Sequence, residues 1–237
     1  MTIIKIRLLK IFFLLCNVRY LFIYLRHNVC ISIEHLGILQ KLNFQNVVDV
    51  GANNGQFSLA VQYLFPQKKI IAFEPLKSCY RKYQCIFKEN PRIVIRNYAL
   101  GSKSEKKLMY ITKNNDSSSF LEPEQLKKIY SEHSCKSENH TIKLGDSVME
   151  KNFIKDSLLK IDVQGFELDV LKGLTLNIKS FKYIYVELSH VELYKEQALY
   201  DQVSNYLNQN GFIFKEVTNE SYYNDQLIQA DYLFTRK

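Results

Sequence analysis

The sequence predicts an α/β domain, a mostly parallel sheet covered by helices on both faces, preceded by a helical extension. Three observations carry this. Short β-rich runs alternate with helical stretches from residue 46 onward, the signature of strand–helix–strand units. A glycine-containing turn stands where the first run meets the first helix, in residues 47–58, VVDVGANNGQFS. At 237 residues with 46% hydrophobic side chains, the chain suits one such domain with a short extra segment.

The elements follow in order. Residues 46–50 are a compact apolar run carrying Asp49, and residues 56–64 repeat apolar side chains at helical spacing. Residues 69–74 (KIIAFE) form the second strand, 75–89 the second helix and 92–98 (RIVIRNY) the third strand. Residues 106–112 extend a local hairpin. Residues 113–140 are long, polar and without periodicity, so they read as a surface excursion holding a helix around 123–130, and 141–144 as a short strand. Residues 157–163 (SLLKIDV) are the fourth main strand, 166–172 a helix and 182–188 (KYIYVEL) the fifth strand. A helix over 197–210 stops at Gly211, and 212–217 and 230–236 close the chain as β runs.

The chain divides into residues 1–40 and 41–237. The first part carries Lys5, Arg7, Lys10, Arg19 and Arg26 around apolar runs. Its apolar stretches are too short and interrupted for a bilayer span of about 20 residues, and no small-residue cleavage site follows. Such a helix either caps the domain, meets a partner subunit in a homo-oligomer, or lies on an anionic membrane surface. The formal charge is +8 but is spread along the chain, so a solvated basic surface accounts for it better than a nucleic-acid partner does. Five cysteines without a CxxC pair fit reduced thiols in a cytoplasmic setting. No ordered metal-ligand motif is present.

The chemistry concentrates at strand ends. Gly51 lets the backbone bend and approach a ligand, and Gly55 opens a helix whose amides attract a carboxylate. The turn, Gly-Ala-Asn-Asn-Gly, lacks the three-glycine spacing of a dinucleotide pyrophosphate site. That departure favours S-adenosylmethionine, which has an amino-acid carboxylate and no pyrophosphate. Glu74, about 20 residues on, suits the two ribose hydroxyls. Asn97 and Ala99 follow the third strand, where polar groups and backbone would face adenine. Asp162 ends the fourth strand, and Glu187 and His190 end the fifth, so the three are expected to converge beside the transferred group. Asp162 is the first candidate for a general base and His190 the second. Glu187 orients one of them or a substrate hydroxyl, and Lys160, two residues before Asp162, points to the same side. The segment 116–119 is a candidate cover for the cofactor.

In order, VVDVGANNGQFS, IIAFEP, NYALG, LLKIDVQGFELDVLKG and VELSHVELYKEQALYDQV resemble the FkbM family of S-adenosylmethionine-dependent methyltransferases, and the ending QADYLFTRK resembles that family's last strand. The resemblance runs from Asn46 to the C-terminus. It implies a class I methyltransferase (Rossmann-like) fold with a seven-stranded sheet whose last strand is antiparallel. It also implies cofactor contacts at Asp49, Gly51, Asn53, Gly55 and Glu74, and methylation of a hydroxyl on a sugar, glycolipid or other natural product. It draws attention to Lys160, Asp162, Gln164, Gly165 and Glu167; Gln164 stands where glutamate is frequent and gets no proton-transfer role. An RNA ribose methyltransferase and a non-catalytic binding protein on the same fold are the alternatives.

Overall fold

A computed structural model describes residues 3–113, 115–124 and 135–237, with side chains from residue 6 onward apart from that of residue 135. Strand β1 (Val47–Val50) is buried at every position and sits inside a seven-stranded sheet. Its parallel neighbours are β2 (Ile70–Phe73) and β7 (Leu158–Ile161), flanked by β3 (Ile93–Arg96) and β8 (Tyr183–Ser189). Beyond β8 lies β10 (Gln226–Arg236), antiparallel, with β9 (Phe212–Tyr223) at the edge, giving the order β3-β2-β1-β7-β8-β10-β9. The expected fold class is therefore observed, antiparallel last strand included.

Because successive strand side chains point to opposite faces, the sheet has two cores. Val48, Val50, Leu159, Ile161, Ile184 and Val186 share one cluster. Val47, Leu158, Tyr183, Tyr185 and Leu233 share the other. The first is covered by α8 (Glu167–Lys172), α9 (Tyr200–Gln209) and a small three-stranded sheet, β4 (Ala99–Gly101), β6 (Cys135–Leu144) and β5 (Glu105–Thr112). Two short helices, α6 (Gly145–Val148) and α7 (Lys151–Ile154), connect β6 to β7. The second face is covered by α4 (Gln56–Leu64), α5 (Lys77–Phe87) and the N-terminal segment.

That segment is not detached from the rest. Helices α1 (Ile3–Cys16) and α2 (Val18–His27) bend by 113° about Asn17 and are followed by α3 (Leu36–Leu39). Leu14, Tyr20, Ile23, Val29, Ile38 and Leu39 are buried in the same cluster as Val47, Leu59 and Tyr83. Among the described residues no single helix is long and apolar enough to cross a membrane; α1 and α2 pass only as a bent pair.

Two expectations need correction. The excursion at 113–140 is shorter than expected, because β6 reaches back to Cys135 and pairs with β5 as far as Thr112. Residues 136–139 of β6 are exposed and polar, so no apolar alternation marks them as strand. The helix expected around 123–130 falls largely outside the described residues. Likewise β9 and β10 extend beyond 217 and before 230, joined by a two-residue turn in which Asn224 and Asp225 both take positive φ (49° and 60°).

Candidate active site

The cofactor-type half is built on the β1–α4 turn. Gly51 has φ +80°, and a Cβ there would lie 1.8 Å from the Asp162 carbonyl oxygen, so the β1 turn can pass the end of β7 only with glycine. Asn53, also at positive φ, donates its backbone N–H to Glu74 Oε2 at 2.8 Å, while Leu76 N–H donates to Oε1 at 2.8 Å. Each Glu74 oxygen keeps a lone pair for a hydroxyl donor. Burial, partly offset by those two amides, pushes the Glu74 carboxyl up to about 7. Asp49 is held from below by Ser58, which donates to its Oδ2 at 2.7 Å, and Tyr83 donates in turn to Ser58; burial pushes Asp49 up to about 6.

The other half follows from strand register. Asp49, Lys160 and Tyr185 are cross-strand neighbours. One pleat further along lie Gly51, Asp162, Glu187 and Asp231, with Asp231 paired to Glu187. All point to one face at the carboxyl ends of the parallel strands. Lys160, 2% exposed, has its ammonium 3.3 Å from Asp162 Oδ2 and 3.7 Å from Asp231 Oδ1. Burial alone would lower the Lys160 pKa, but Asp162, Asp231 and Glu187 hold it above its ordinary value. Burial acts against Asp162 too, yet Lys160 and Gln164 keep that carboxyl below the usual range. Glu187 goes the other way: burial, then Asp162 and Asp231, push it well above the ordinary value. Gln164 bridges the two acids, its amide donating to Asp162 at 2.9 Å and Glu187 at 2.8 Å, and Gln229 donates to the second Glu187 oxygen at 2.9 Å.

One cavity of about 380 Å³ joins the two halves, from Glu74 and Leu76 just after β2 across Gly51 and Asp162 to Glu187 and Asp231. Of the candidate cover, Asp116 and Ser118 line one wall beside Phe120, and Ser119 is anchored on the Gln164 carbonyl. Tyr194 donates its hydroxyl to Gln164 Oε1 and to the Ser117 carbonyl, 2.9 Å each.

Of the expected site residues, Asp49, Gly51, Asn53, Glu74, Ala99, Lys160, Asp162 and Glu187 all line this cavity. Three do not. Gly55 packs against Phe87 and Tyr83, where a Cβ would come within 2.9 Å of both rings. Asn97 uses its amide to tie the carbonyls of Glu74 and Pro75, 2.9 Å each. His190 stacks on Tyr200 at 5.0 Å and meets the Tyr232 hydroxyl. Its place follows from parity: Val186 and Leu188 face the core opposite Glu187, and His190, two residues further, lies on their side. Glu167, flagged by the resemblance, accepts the N–H groups of Gly165 and Val163 and so holds the loop after β7.

Asp231 and His35 are among the lining residues that went unread in the sequence. Asp231 could have been found as a lone acid in an apolar strand. His35 had no signal. Its Nδ1 lies 3.0 Å from the Tyr185 hydroxyl, 3.1 Å from Asn219 Nδ2 and 3.7 Å from Asp231, and burial lowers its pKa against the pull of Asp231.

Among solved structures, TehB from Haemophilus influenzae superposes with a TM-score of 0.53 at 12% identity, covering 92% of this chain and 67% of that one; this is a likeness of fold. In sequence, Methyltransferase sdnD from Sordaria araneosa is 29% identical over 192 residues, 70% of this chain and 73% of that one. Methyltransferase 1 from Beauveria bassiana (strain ARSEF 2860) is also 29% identical, over 54% of this chain and 57% of its own length. The methyltransferase FkbM domain model matches residues 49–214, from the β1 acid to the start of β9, leaving His35, Asn219 and Asp231 outside. With that match over most of its length, the chain belongs to the FkbM family and is an S-adenosylmethionine-dependent methyltransferase.

Proposed function

We propose that the acceptor is a hydroxyl on a neutral, polyhydroxylated molecule (a sugar, glycolipid or related natural product) and that Glu187 takes its proton. The observation that supports this is the layer of carboxylates around Lys160 at one end of the cavity. The wall carries seven carboxylate side chains against two lysines. Such a wall repels phosphate and offers many acceptors to hydroxyl donors. An RNA backbone suits it poorly.

The residues present fit S-adenosylmethionine. Glu74 suits a ribose diol, the backbone at 51–53 an amino-acid carboxylate, and Leu100, Met109 and Phe120 a flat apolar ring. When bound, that group supplies an electrophilic methyl on a sulfonium. The chain's part is to aim and activate the oxygen. Asp162 and Asp231 accept hydrogen bonds from acceptor hydroxyls and fix their direction, the larger share of the rate gain in a displacement of this kind. Lys160 keeps Asp162 ionised. Glu187, raised well above its ordinary value by burial and by Asp162 and Asp231 and steered by Gln164 and Gln229, is the carboxylate with the strongest pull on a hydroxyl proton. The candidate cover at 116–119, with Phe120 beside it, narrows water's access. Four described cysteines are free thiols, which supports a reducing, cytoplasmic setting.

The test is incubation of the full chain with methyl-labelled S-adenosylmethionine and separate glycan, lipid and RNA fractions of the source cells. Label in glycan or glycolipid as a base-stable methyl ether is expected. Label confined to RNA, or released by mild base as an ester, would overturn the proposal.

A further inference from the structure

The N-terminal elbow presents an apolar surface that the fold does not use. Helix α1 turns Phe13 and Leu14 inward and α2 turns Tyr20 and Ile23 inward, onto the core shared with α4. A surface helix of a soluble domain would carry polar residues on its other face. Here that face holds Leu8, Ile11, Phe12, Leu15, Val18, Phe22 and Leu25, each 55–77% exposed. Nine of the seventeen exposed large apolar side chains among the described residues fall between Leu8 and Leu25. A patch so concentrated marks a surface that something covers.

Charge identifies what covers it. The first acidic residue is Glu34, so residues 1–33 carry five cations and no anion. Arg7, Arg19 and Arg26 are exposed, with the Arg26 guanidinium 6.0 Å from the exposed Phe22 ring. A second copy of the chain would set this cationic face against itself across a two-fold axis, which is repulsive. An anionic surface with an apolar interior matches both features at once.

We infer that the α1–α2 elbow docks the protein on an anionic phospholipid surface, with the apolar side chains in the headgroup–acyl boundary and the arginines on the phosphates. The 113° bend and the two short helices suit lying in the interface, not crossing it. Lys10 on α1 pairs with Glu34 at 3.0 Å, and both border the cavity, so docking brings the cavity rim to the lipid surface. The inference stands apart from the acceptor proposed above.

Flotation of the full chain tests it, using vesicles of phosphatidylcholine and phosphatidylglycerol in equal parts against phosphatidylcholine alone. Binding to the mixed vesicles is expected to be at least about tenfold stronger and to weaken as salt is raised. Combined substitution of Leu8, Phe12, Leu15 and Phe22 by Ser should lower it by more than about tenfold. The quadruple variant should keep the melting temperature of the parent, since all four side chains are exposed. Combined Arg7→Ser, Arg19→Ser and Arg26→Ser should abolish the lipid preference. The inference is overturned if the folded parent does not float with mixed vesicles, or if the folded quadruple variant floats equally well. It is also overturned if light scattering finds a dimer that the quadruple variant dissociates while neither protein binds lipid.

Discussion

Lys160→Met removes the buried cation on which the carboxylate layer depends while keeping most of the side chain's volume. At 3.3 Å from Asp162 and 3.7 Å from Asp231, each pair attracts by about 4–5 kcal/mol at an effective dielectric of about 20. Much of that is spent on desolvation, and breaking a buried pair from one side costs about 3–5 kcal/mol. In a chain of this length that lowers the melting temperature by roughly 6–20 °C. The loss should depend on pH in a defined direction. Lys160 is raised above its ordinary value, so its contribution is complete at neutral pH and fades only above the ordinary lysine range. Asp162 is lowered, so its contribution is present above the ordinary aspartate range and fades below it. At pH 7 both are in place and the full loss appears. Toward pH 5 the orphaned acids of the variant take up protons more easily, and the gap to the parent narrows. Thermal denaturation from pH 5 to 8 measures this, with Lys160→Met/Asp231→Asn recovering part of the loss. A melting point within about 2 °C of the parent at pH 7, or a pH-independent loss, would refute the reasoning.

Three further outcomes are expected. Methyl transfer by the parent should rise with pH as Glu187 loses its proton, and Glu187→Gln should lower kcat by about 10²-fold or more and flatten that profile; an unchanged profile would remove Glu187 from the reaction. The cofactor-free protein should be more stable at pH 5.5 than at pH 8. Glu74 and Glu167 near 7 and Asp49 near 6 sit above their unfolded values, so stability present at low pH is lost as pH rises through those values, by about 1.4 kcal/mol per unit of displacement for each group. Melting curves in buffers of equal ionic strength check the sign. His190→Ala should leave kcat within about twofold, because its ring stacks on Tyr200 away from the cavity; a loss like that of a general base, about 10²-fold, would reopen it as a candidate.

The sheet was legible because its central strands are buried on both faces and read as apolar runs, and because Gly51 and Glu74 mark strand ends by residue type. The acids Asp162 and Glu187 could be placed at the right ends of the right strands for the same reason. What failed was parity and reach. His190 looked close to Glu187 along the chain, yet an odd offset sends it to the opposite face of the sheet. Asp231 belongs to the site only because β10 lies antiparallel beside β8, and His35 only because the N-terminal segment folds back over the second core. Those are long-range pairings with no local trace. The polar outer half of β6 gave no alternation, since its exposed side chains need none.

The most direct measurement is calorimetric titration of S-adenosylmethionine into Glu74→Gln and Glu187→Gln side by side with the parent. If the cavity divides into a cofactor half at β2 and an acceptor half at β8 and β10, Glu74→Gln weakens binding by about tenfold or more, from at least one charged hydrogen bond lost. Glu187→Gln, in the same titration, leaves the affinity within about twofold. Unchanged binding in Glu74→Gln, or a collapse in Glu187→Gln alone, would contradict that division.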